Sequence, residues 1–160
     1  MHLALAANYA GIGFGNAGVH IPHAVAYPIA GLVRDYVPAG YRTRHPLIPH
    51  GMSVILTAPA TFRFTYATSP ERHLRAAELM GYPVAGLSHA EQSEALPRAF
   101  MSLMQDVGIP NGLIAVGYGE SDVTELIAGT LKQPRLLAGA PRSVGSAELD
   151  WILRDAMQYW

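Results

Sequence analysis

The chain contains no cysteine, which excludes a disulfide framework and any thiolate metal site, so a bound metal would need nitrogen and oxygen ligands. Charge is also scarce. Only 14% of the residues are Asp, Glu, Lys or Arg, against roughly 25% in an average soluble domain, which leaves much of the surface suited to contact. With a net charge of -1 and no run of like charges, there is no basic footprint for nucleic acid and no acidic tail. No apolar run is long enough to span a bilayer, so neither nucleic acid nor membrane is an expected partner. Strict apolar/polar alternation is missing too, as are a fixed-period repeat and low-complexity tracts, which removes the usual signs of a β architecture or solenoid.

What remains is a chain of 160 residues, half of them apolar, enough for one domain with a core of its own. The pattern predicts an all-α fold, a compact helical bundle. Leu3 to about Gly13 reads as a small-residue helix suited to close packing, after which Gly11, Gly13, Gly15 and Gly18 thin out the side chains. No Ser, Thr, Asp or Asn precedes it as a cap, so it reads as a helix entered part-way along, and the domain expected over 1–160 is expected to be incomplete at its N-terminus. A second apolar helix covers Val19 to Val33, then Val37 to Pro49 forms a loop rich in Pro, Gly and Arg that delivers His45 and His50.

Gly51 to Ala67 has helical length, and Ser69-Pro70-Glu71 then supplies a cap, a first-position proline and a first-turn acid for a helix ending at Gly81. Ser88 with Glu91 forms a capping-box pattern, followed by Leu96, Phe100, Leu103, Met104 and Val107 at helical spacing. Ser121 to Leu131 and Ser146 to Met157 repeat the design, each opened by a serine.

Two constellations could carry chemistry. Gly13-Phe14-Gly15-Asn16-Ala17-Gly18 fits G-x-G-x-x-G, with Asp35 near the distance of a ribose-binding acid. A dinucleotide fold needs a strand before this turn and a second one before the acid, whereas alanine-rich helix precedes it here. The other constellation comes from the seven histidines. His20-Ile21-Pro22-His23 and Pro49-His50-Gly51 offer imidazoles that suit a divalent metal. From spacing alone, His23 and His50 are candidate ligands, and hydrogen-bonded core histidines are the alternative.

The run Gly13-Phe14-Gly15-Asn16-Ala17-Gly18-Val19-His20-Ile21-Pro22-His23-Ala24-Val25-Ala26-Tyr27-Pro28, with His45-Pro46-Leu47-Ile48-Pro49-His50-Gly51, resembles the histidine signature of the iron-containing, or group III, alcohol dehydrogenases. It is most similar to their hydroxyacid-oxoacid transhydrogenase branch. The resemblance continues through Pro70-Glu71-Arg72-His73-Leu74 to Ala140-Pro141-Arg142 and so covers essentially the whole chain.

The resemblance implies the C-terminal metal-binding domain of a two-domain dehydrogenase, with the nucleotide-binding domain absent. It implies a divalent metal, iron or zinc, held in part by His23 and His50, and NAD(P) as hydride carrier in the full-length enzyme. The expected substrate is a small alcohol or hydroxyacid, with Phe14 and Tyr27 near it. The aspartate and first histidine of the family's D-x-x-x-H segment have no counterpart here, so half of the metal's ligands are missing. Tyr27 stands where many alcohol-specific members carry a histidine, and the loop between the motifs is longer than in those members; both features favour the transhydrogenase-like branch.

The remaining expectations concern neighbours and surroundings. His20 reads as a packed histidine, with an outer contact to the metal site as the alternative; Arg42, Arg44 and His45 read as solvated loop surface, with contact to a substrate carboxylate as theirs. His2, His73 and His89 are expected on the surface. The chain is expected to meet a missing nucleotide-binding domain or to self-associate, and to work in the cytoplasm, or in mitochondria if eukaryotic. The competing reading is a truncated remnant or helical interaction module without catalysis of its own.

Overall fold

Prolines and glycines set where this chain starts and stops its helices, and the computed structural model, which describes residues 1–160, contains helices and no strand. In order they are α1 (His2–Ala17), α2 (Ile21–Gly31), α3 (His50–Ile55), α4 (Ala58–Thr65), α5 (Pro70–Leu79), α6 (His89–Asp106), α7 (Val123–Leu131), α8 (Pro134–Leu137) and α9 (Ser146–Asp155). Three single 3-10 turns, at Tyr66–Thr68, Ile114–Val116 and Glu120–Asp122, join them. The all-helical expectation therefore holds.

The core is built on α2. Ile21, Val25 and Ile29 recur every fourth residue, one face of a helix, and are fully buried. They belong to one cluster with Leu56 and Ala60, with Val123 and Leu126 of α7, and with Leu149, Ile152 and Leu153 of α9. Each large aliphatic side chain taken from water contributes about 1.5–3 kcal/mol. A smaller cluster of Ala77, Ala95, Leu96 and Ala99 joins α5 to α6, with Phe62 and Phe100 packed against it. In α6 the Ser88–Glu91 capping box forms as expected, but Leu103 and Val107 point largely to solvent. The apolar spacing there overstates the buried face.

Several helix limits differ from the sequence expectation. The first helix continues through three of the glycines to Ala17 and ends where Gly18 turns to φ 75° while donating to the Phe14 carbonyl at 2.8 Å. It buries no residue, and a side chain at Gly11, Gly13 or Gly15 would meet nothing. The expected close packing is thus not made within this chain. The stretch 51–67 splits into α3 and α4 because Pro59 has no N–H to offer the Ile55 carbonyl. Neither Ser121 nor Ser146 caps its helix: α7 begins only at Val123 after the 3-10 turn, and at α9 the Glu148 carboxylate accepts from the Gly145 N–H at 2.8 Å while Ser146 is already helical.

His73 is buried, against the expectation of a surface site. Its ring lies edge-on to Phe62 and Tyr66. Its Nδ1 donates to the Ser69 carbonyl at 2.8 Å, and its Nε2 lies 3.0 Å from the Thr65 hydroxyl. With both ring nitrogens engaged, burial carries little penalty.

The C-terminal end of α2 is tied from outside. Tyr118 donates to the Ile29 carbonyl at 2.6 Å, satisfying one of the helix's last free acceptors. Arg34 holds Asp122 through two bonds of 2.8 Å and donates to the Gly117 carbonyl. Arg34, and then the Gly119 N–H, depress the Asp122 carboxyl from 3.8 to about 2. Because the folded value is the lower one, this contribution is complete above about pH 4 and is lost as pH falls through 2. Asp122→Asn is expected to flatten the decline of Tm between about pH 4 and 2; an unchanged slope would show that the pair does not contribute.

Candidate functional site

Helix α2 brings His23 into its first turn, just after Pro22, whose missing N–H costs nothing at that position. His50 is the first residue of α3. The loop before it is anchored by buried Ile48, whose carbonyl, like that of Pro49, accepts from the Ser53 hydroxyl. Two helix starts therefore face each other, and the His23 and His50 rings come to 5.4 Å between centroids at 60°.

That spacing fits a shared ion. Imidazole nitrogens at about 2.1 Å from one metal, with a roughly tetrahedral angle between them, put ring centroids about 5 Å apart. The electrostatics favour the ligand form as well. Burial, and then the neighbouring His50, push His23 below its ordinary pKa, which favours the neutral imidazole that binds metal there. No group of three or more His, Asp or Glu side chains able to hold an ion forms anywhere in the chain. The residues present fit half of a metal's ligand shell.

A cleft of about 290 Å³ opens beside His23, walled by His20, Val54, Ile55, Phe62 and Phe100 among others. Phe62 and Phe100 stack at 5.1 Å with their planes 4° apart. Sequence reasoning missed this wall because its aromatics come from α4 and α6, with no local signal joining them. His20 is the residue before α2 rather than a member of the same helical face as His23. It is half-buried, its Nδ1 has no partner, and burial, then His23 and His73, lower its pKa.

The other candidates lie apart from the cleft wall. Tyr27 is one helical turn beyond His23, on nearly the same face, and is 55% exposed. Phe14 lies on α1, one turn before Gly18, which does border the cleft, and is equally exposed. Arg42, Arg44 and His45 are exposed on the loop, where Thr43 bonds the backbone of His45 at both its N–H and its carbonyl. The glycine motif 13–18 lies on α1 and at its end, not between strand and helix, so it builds no dinucleotide site.

Comparison with known proteins gives one answer. The profile of the Fe-containing alcohol dehydrogenase family, C-terminal, matches residues 1–157. Among curated relatives, the mitochondrial hydroxyacid-oxoacid transhydrogenase of Bos taurus is 42% identical over 160 residues, all of this chain and 34% of the relative. The probable mitochondrial hydroxyacid-oxoacid transhydrogenase of Dictyostelium discoideum is 45% identical over 154 residues, 96% of this chain and 28% of its own length. Of solved structures, a 1,3-propanediol oxidoreductase superposes with a TM-score of 0.76 at 30% identity, over 92% of this chain and 35% of that one. The alcohol dehydrogenase from Oenococcus oeni gives the same TM-score at 26% identity, with the same coverage. The chain spans about a third of the length of these proteins.

Proposed function

This chain belongs to the iron-containing alcohol dehydrogenase family, to its C-terminal part, and from that premise we propose that it is the helical half of an oxidoreductase that moves hydride between an alcohol or hydroxyacid and a nicotinamide cofactor. The observation that carries the proposal is the His23–His50 pair, two imidazoles with ring centroids 5.4 Å apart at facing helix starts. An iron or zinc ion held there would act as a Lewis acid on the substrate's oxygen.

The chain's own residues then have three tasks. His23 and His50 supply two ligands and hold them on helices rather than on loops. Phe62, Phe100, Val54 and Ile55 keep water from the side of the site next to His23. Tyr27 and Phe14, exposed on the flanking helices, contact the substrate. The names of the relatives support a hydroxyacid over a plain alcohol, and they support mitochondria as the compartment if the source is eukaryotic. No helix is long and apolar enough to cross a membrane.

NAD(P) and the other two metal ligands would come from the portion of the relatives that this chain does not span. A second reading, a remnant or interaction module with no turnover of its own, is favoured by the lack of a third metal donor. Anaerobic equilibrium dialysis against Fe(II) or Zn(II) separates the two. One ion per chain is expected, and no binding would leave only the second reading.

Helix α1 offers the partner surface. Leu3, Tyr9, Ile12 and Phe14 are all more than half exposed, spread around a helix that buries no residue, and exposed apolar surface of this extent marks an interaction face. We expect the 160-residue chain to self-associate with rising concentration, and Leu3→Ser with Ile12→Ser to return it to monomer in sedimentation. A wild-type chain that stays monomeric would remove α1 as an interface.

A further inference from the structure

We infer that Gly129 is a positioning residue for the His23–His50 pair: by letting α7 close directly onto Pro28, it sets how far α2 stands from α3. The inference deepens the proposed metal site and rests on that reading for its functional meaning.

A Cβ added at Gly129 would lie 2.6 Å from Pro28 Cβ and 3.2 Å from its Cγ. A real Cβ does not reach such a distance from a rigid ring. Gly129 sits inside α7 without a positive φ, so its backbone conformation does not demand glycine. In a helix interior glycine is less favourable than alanine, and the close approach of the two helices is what this cost permits.

The geometry turns that approach into control of the histidines. Pro28 lies five residues after His23, which at 3.6 residues per turn is about 140° around the helix. The two residues therefore face nearly opposite ways. Helix α2 packs against both α7 and α3; its Pro28 meets α7 at Gly129, and its His23 meets His50, the first residue of α3. The Tyr118 hydroxyl grips the Ile29 carbonyl at 2.6 Å, and the Arg34 contacts hold the segment just beyond. A side chain at residue 129 must then push α2 as a body, and the direction left to it is toward α3 and His50.

The test uses the whole chain and two readouts. In Gly129→Ala, the contacts between the His23 and His50 ring protons, visible as a cross-peak by NMR without any metal, are expected to change in intensity. Co(II) affinity is expected to fall about tenfold, in the range seen when a residue that orients a metal ligand is lost, with an altered d–d spectrum. Adding Pro28→Gly removes the opposing Cβ and is expected to restore both. Ala77→Gly, in the α5–α6 cluster that reaches the site only through Phe62 and Phe100, serves as a loss of stability whose effect on both readouts is expected to be much smaller.

A Gly129→Ala protein with a lower Tm but an unaltered ring–ring cross-peak would overturn the inference and reduce Gly129 to a packing residue. So would an Ala77→Gly protein whose cross-peak moves by as much. A wild-type chain that binds no Co(II) would instead overturn the metal reading, while the cross-peak would still decide the role of Gly129.

Discussion

Divalent-metal affinity is expected to drop at least about 100-fold in His23→Ala, since even residues that merely support a ligand are worth 10–100-fold. The His23→Ala, His50→Ala double variant is expected to bind no ion at all. With only two donors at this site, losing one leaves a single imidazole, which surface histidines such as His2 and His89 offer equally. His50 is exposed, so His50→Ala should change stability by no more than about 0.5 kcal/mol. Calorimetric titration beside thermal melts separates the two effects. Stoichiometric binding that survives the double variant would mean that the ion sits elsewhere, and the proposed site would fall.

Arg63→Ala is expected to cost about 1–3 kcal/mol, the range for leaving a partly buried polar partner unmatched. For a chain of this size that lowers Tm by roughly 2–4 °C per kcal/mol. Arg63 of α4 pairs through its Nε and one Nη with both oxygens of Glu94 on α6, at 2.6 and 2.8 Å, and it also contacts Asp155 at the end of α9. The two acids respond in opposite senses. The bidentate bond from Arg63 holds the Glu94 carboxyl below its ordinary range, whereas burial pushes Asp155 up in spite of the same guanidinium. One cation thus compensates one acid well and the other poorly. Removing it leaves two half-buried carboxylates together. Asp155→Asn should therefore be tolerated far better than Arg63→Ala, and equal losses from the two would contradict this division.

Much of the fold can be read from local signals. The Ser88–Glu91 box and the Pro70 start are chemistry within one turn, and they place α6 and α5 nearly to the residue. The pairing of His23 with His50 follows from a family signature; spacing alone leaves them as candidates. What cannot be read is whatever depends on a distant element. His73 looks like a surface residue on a charged helix because the rings that cover it, Phe62 and Tyr66, belong to the preceding helical segment. The cleft wall and the Arg63 cluster are likewise assembled from α4, α6 and the C-terminal helix. Two other differences do have a local signal. Pro59 announces the break between α3 and α4, and of the glycines that suggest an end to α1 only Gly18 leaves helical backbone.

The contact of Pro28 with Gly129 also has a consequence in time. About a hundred residues separate α2 from the helix that fixes its position, and at a synthesis rate of roughly 5–20 residues per second α2 waits some 5–20 s for it on the ribosome. During that interval Ile21, Val25 and Ile29 lack the α7 and α9 side chains that cover them in the finished chain, which makes the nascent segment a natural client for chaperones. Both histidines are made well before α7, but their spacing is set only once α7 has arrived, so the site is completed late.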